Sequence, residues 1–123
     1  VDMINTEMAC WRLEELASRI EQERLWMGRT DSEMSSFEEA RCGLFDDAGV
    51  MRALESGSLR KTHSEELCLK FMALHELLKK LPENARPEDV IAHPRMAEVR
   101  SLAADLLSLL ACHDSDSATR GGD

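Results

Sequence analysis

Cysteine and histidine are the residue types in this chain best suited to metal binding or nucleophilic chemistry: Cys10, Cys42, Cys68 and Cys112, and four histidines that include His75 and His113. A zinc site needs ligand pairs two to four residues apart that converge on one point. Cys68 and His75 are seven residues apart. On a helix that separation is two turns, about 10 Å at 1.5 Å per residue, too far to chelate one ion as a local pair. Cys112 and His113 are adjacent and point in different directions. Nucleophilic catalysis requires a Cys or Ser beside a His that a third group orients. No strand–turn–helix nucleophile elbow and no glycine-rich phosphate loop is present to organise such a set. Glu14-Glu15, Glu38-Glu39 and Glu65-Glu66 resemble acid/base couples in composition only. Neighbouring helical residues diverge by about 100°, so these pairs read as solvated faces and helix-start charges. The sequence therefore implies no catalytic residue, no cofactor and no metal. A small enzyme using Cys and His is the least favoured reading. The cysteines read as reduced, small hydrophobes.

The elements that would position any site are helical. Two Trp, three Phe and no Tyr leave the apolar load to Leu and seven Met. Strands favour aromatic and β-branched residues, so this balance tips toward helix. Thr6 can cap a first helix. Along it Met8/Ala9, Leu13, Leu16/Ala17, Ile20 and Met27 recur at helical steps, and Gly28 would end it before a turn at Arg29-Thr30-Asp31-Ser32. Ser35 and Glu38 have capping-box spacing. A short helix with Phe37, Ala40, Leu44 and Phe45 inward is expected next, then a second burying Val50, Met51 and Leu54 and stopping at Gly57. Thr62 and Glu65 form another capping box. Leu67, Phe71, Leu74, Leu78 and Leu81 then make a clear stripe, ended by Pro82. Pro87 and Pro94 suit the first positions of two further helices, the last running to about Cys112. The expected fold is all-α: a small bundle of four to five helices, three long ones plus short connecting helices. One helical domain covers 1–112, with a disordered C-terminal tail at 113–123.

Charge and size exclude several classes. At 123 residues the chain holds one domain with a core of its own. Fifteen basic residues against twenty-four acidic give a net charge of −9, spread over both halves with no basic stripe. Such a surface repels nucleic acid and anionic membranes, so no direct nucleic acid binding is expected. A helix-turn-helix fails on the same ground, because the segment Asp47–Glu55 carries one basic residue, Arg52. The longest apolar stretch, Leu102–Cys112, is broken by Asp105 and Ser108, which predicts no membrane span. No cationic start followed by an apolar run marks a signal peptide. With the cysteines read as reduced, a cytoplasmic location is expected.

What remains is surplus apolar surface. Leu102, Leu106 and Leu109 with Ala103, Leu107 and Leu110 fill more than one stripe of the last helix. Such a helix is either central in its own domain or shared with a neighbour. Leu25, Trp26 and Met27 are consecutive and cannot all face one core, and Trp11 lies off the main stripe. Trp and Met are enriched at protein interfaces. The expected protein-binding surface is Trp11, Leu25, Trp26, Met27, Leu106, Leu107, Leu109 and Leu110, with a homodimer through the first or last helix. The functional expectation is a regulatory protein that sequesters or inhibits a partner, foremost an antiactivator blocking the dimerisation or DNA-binding surface of a transcription factor. An acidic dimeric secretion chaperone or adaptor is the alternative.

Overall fold

In the computed structural model, which describes residues 3–27, 36–82 and 85–110, the chain is helical throughout with no strand among those residues. The first helix, α1 (Thr6–Ala17), opens on Asn5, whose side-chain oxygen accepts from the Met8 amide at 3.0 Å. The cap thus sits one residue before Thr6. The chain does not continue as one helix to Met27. Ser18 is extended (φ −120°, ψ 118°), and its hydroxyl accepts from the Glu21 amide to start α2 (Arg19–Trp26). Buried Gln22 completes the corner by donating to the α1 carbonyls of Glu15 and Leu16 at 3.2 and 2.8 Å. Those oxygens have no intrahelical donor at a helix end. The break rotates α2 relative to the expected stripe. Ile20 lies 76% exposed, and Gln22, Leu25 and Trp26 turn inward instead.

Next comes α3 (Phe37–Cys42), capped by Ser36 through the Glu39 amide at 3.0 Å. The cap expected at Ser35 is displaced by one residue, and Ser35 itself lies outside the described residues, as do the Gly28 stop and the 29–32 turn. A single π-helical turn (Gly43–Asp47) leads through Gly49 to α4 (Val50–Ser56) and then α5 (Ser58–Thr62). Gly49 sits at φ +84°, a left-handed conformation that costs a side-chain-bearing residue about 1–2 kcal/mol. The long α6 (Glu65–Lys79) is capped by Ser64, not Thr62, whose hydroxyl donates back to the Ser58 carbonyl within α5. Pro87 and Pro94 open α7 (Pro87–Ile91) and α8 (Pro94–Leu109) as their fixed φ permits.

The described residues thus hold eight α-helices where four to five are expected, because Ser18 and the glycine-rich middle divide what periodicity alone would join. The expectation for the 113–123 tail falls outside the described residues. α8 packs against both α1 and α6. Its Met96, Val99, Ala103 and Leu106 are fully buried against Leu13 and Leu16 of α1 and Phe71, Leu74 and Leu78 of α6. Arg100 on α8 donates to Gln22 at 3.1 Å and to the Ile91 carbonyl at 2.6 Å, which fastens α2 and the end of α7 to the bundle. No helix here is long and apolar enough to cross a membrane.

Candidate functional site

The surface predicted to bind a partner is dispersed by the fold. Leu25, Trp26, Leu106, Leu107 and Leu110 are buried in this chain's own core, Met27 is half-buried, and only Trp11 (54%) and Leu109 (36%) are exposed. Trp26 is held by chemistry as well as by packing. Its indole N–H donates to the buried Glu15 carboxylate at 2.5 Å, and its ring meets Phe37 edge-on at 6.1 Å. Glu15 also accepts from Arg12 at 3.0 Å. Consecutive Leu25 and Trp26 can both be covered because α2 lies between α1 and α7. The surplus of α8 has a similar explanation: α1 and α6 cover separate stripes of it. The expectation that these residues form a surface therefore does not hold for the five buried ones. Trp11 stacks with the guanidinium of Arg12, 4.3 Å from its ring, beside a shallow hollow lined by Asn5, Glu7 and Met8.

A better-formed site lies elsewhere, between the middle helices and α6. Gly43 makes it possible, since a Cβ there would collide with the Arg12 side chain of α1. That close approach lets the π-helical turn settle on α1 and aim Phe45 inward, where it meets Phe71 at 6.2 Å and His75 at 4.9 Å, both edge-on. Gly49, in its left-handed conformation, leads into α4, which presents Met51, Leu54 and Glu55. Two adjoining hollows result. One, of ≈ 360 Å³, is lined by Met51, Leu54, Glu55, Met72, His75 and Glu76. The other, of ≈ 430 Å³, is lined by Arg41, Cys42, Phe45, Asp46, Met51, Glu55 and His75. Their shared residues, Met51, Glu55 and His75, make them one groove. Met51 and Leu54, expected to be buried, are only half-buried because they form its wall. On the α6 side Met72 is 51% exposed and Leu69, one turn earlier, 53% exposed.

The groove offers binding surface more than reactive chemistry. Cys42 is an exposed free thiol and lies on its rim with His75, whereas Cys68 is buried in the core. Burial pushes the Cys68 thiol up, opposed by nearby Arg60 and reinforced by Glu65. A raised thiol is a poor nucleophile at neutral pH. Cys10 is disulfide-bonded, so the expectation that all four cysteines are reduced does not hold there. Among the described residues no group of three His, Cys, Asp or Glu is placed to hold a metal ion. No family model, curated protein or solved structure matches the chain.

The groove was legible in part. Leu69 and Met72 stand three apart, outside the stripe of Leu67, Phe71, Leu74, Leu78 and Leu81, and mark a second apolar side of α6. Nothing in the sequence placed Met51 and Leu54 opposite Met72.

Proposed function

We propose that the chain is a non-enzymatic regulatory protein that binds a partner protein in the groove between α4 and α6. The observation that carries this reading is exposed Met72 of α6 beside the half-buried Met51 and Leu54 of α4, with Leu69 also exposed one turn earlier on α6. Unbranched, polarisable methionines suit a surface that must adapt to a protein segment. Within that class the favoured role is an antiactivator that occupies the dimerisation or DNA-binding surface of a transcription regulator. The net charge of −9 supports it, because an acidic protein complements a basic DNA-binding partner and competes with nucleic acid. An acidic secretion chaperone or adaptor is the second reading. The disulfide at Cys10 favours it in one respect, since disulfides persist in oxidising compartments, whereas an antiactivator would act in the reducing cytoplasm.

Affinity capture from a native lysate with the wild-type chain and with Met72→Glu tests the reading. A DNA-binding regulator retained by the wild type and lost by the variant is the expected result. A secreted client lost in the same way would transfer the groove to the chaperone reading. Capture unaffected by Met72→Glu would remove the groove from either.

A further inference from the structure

We propose that the occupant of the groove is a cationic amphipathic helix belonging to another protein. Its apolar face would lie on Met51, Leu54 and Met72, and its Lys and Arg side chains would meet Asp46, Glu55 and Glu76. The inference rests on the partner-binding reading above and adds the chemistry of the partner.

Shape is the first support. The two hollows share Met51, Glu55 and His75 and so run on from one another, one between α4 and α6 and the other reaching Arg41, Cys42, Phe45 and Asp46 of α3 and the π-helical turn, giving a continuous trough. Leu69, exposed one turn before Met72, adds apolar surface on α6 outside the two hollows. A trough of this kind receives the i, i+3, i+4 anchors of an amphipathic helix. Charge is the second. Asp46, Glu55 and Glu76 stand around the trough against one cation, Arg41, among its described lining residues, and the Arg41 guanidinium lies 5.8 Å from the Phe37 ring. Glu76 also meets Lys79 at 3.4 Å, but both side chains are more than half exposed. A pair so well solvated contributes little and leaves the carboxylate open to a second cation. The same charges argue against a second copy of this chain as the occupant, since it would bring a net −9 of its own, and juxtaposed like charges are penalised.

The probe is a fluorescently labelled helical peptide of Leu and Lys, about 18 residues or five turns long, with its leucines on one face. A counterpart with Glu in place of Lys is the comparison. Each is titrated with the full chain by fluorescence anisotropy, using the wild type, Met72→Glu, the double variant Glu55→Lys/Glu76→Lys, and Ile20→Ala, at an exposed α2 residue outside the trough lining, as a control. The wild type should bind the Leu/Lys peptide at least about tenfold more tightly than the Leu/Glu peptide. Met72→Glu should weaken binding about tenfold, the double variant should reverse the preference, and Ile20→Ala should change nothing. Circular dichroism shows which variants keep their fold. Should Met72→Glu lose it, the double variant, altered only at exposed side chains, decides. No Leu/Lys binding, or binding equally tight to the double variant, overturns the proposal; the latter would mean diffuse attraction to an acidic protein. Loss of a captured lysate partner in Met72→Glu without groove-directed Leu/Lys binding would leave partner binding standing and reject the cationic helix. Groove-directed peptide binding with no captured partner would do the reverse.

Discussion

Glu15 is a carboxylate with almost no contact with water, and both its oxygens are engaged, one by Arg12 and one by the Trp26 indole. A buried charge is tolerated only when paired and hydrogen-bonded, so this set fixes where Trp26 can lie. Trp26→Phe would keep most of the ring contact with Phe37 while removing the N–H, leaving one Glu15 oxygen without its donor. It should cost about 1–3 kcal/mol in urea unfolding, with native helicity intact. Unchanged stability would mean that the indole N–H contributes nothing and that Trp26 is held by packing alone. The sequence marked Trp26 as one of three consecutive apolar residues that could not all face one core. It could not reveal that an acid eleven residues earlier would meet it in the core, because that pairing depends on the corner at Ser18.

That corner is the decisive event at the scale of elements. Ser18 and Glu21 have the spacing of a capping box, and the apolar recurrence on either side of them hides the break. Gln22 gives the corner its stability by satisfying two carbonyls at the end of α1 while accepting from Arg100 of α8. Gln22→Leu, which keeps the bulk but removes the polar atoms, should destabilise the chain by about 1–3 kcal/mol in thermal or urea melts, since those carbonyls stay buried without donors. A variant as stable as the wild type would show that water reaches the corner and that the side chain is a spectator. In the middle of the chain, Gly43 and Gly49 read in sequence as helix-weakening positions. Their structural role is more specific: one admits Arg12 of α1, the other takes the left-handed conformation that joins the π-helical turn to α4.

For the whole molecule, the cysteines bear on where the chain works. Cys42 is exposed and free, Cys68 buried and free, and Cys10 disulfide-bonded. Without reductant, Cys42 should therefore react fast with a disulfide-exchange reagent in the native chain, Cys68 should react only on unfolding, and Cys10 should need prior reduction. Reaction of Cys68 should also need higher pH than an ordinary thiol, because burial disfavours the thiolate that reacts. Four thiols in the unreduced, unfolded chain would mean that the protein works reduced and would remove the disulfide's support for the chaperone reading.

The helical character, the regular stripe of α6 and the proline-opened starts of α7 and α8 were set by local sequence, since periodicity, capping and fixed φ act within a few residues. The acidic balance was equally legible and already disfavoured nucleic acid as a direct ligand. Tertiary structure alone decided which apolar residues stay exposed. Leu107 and Trp26 are covered because α6 and α7 happen to reach them, while Met72 stays exposed across a hollow from Met51 of α4. Burial is a property of what packs alongside a residue, and those neighbours come from distant parts of the chain.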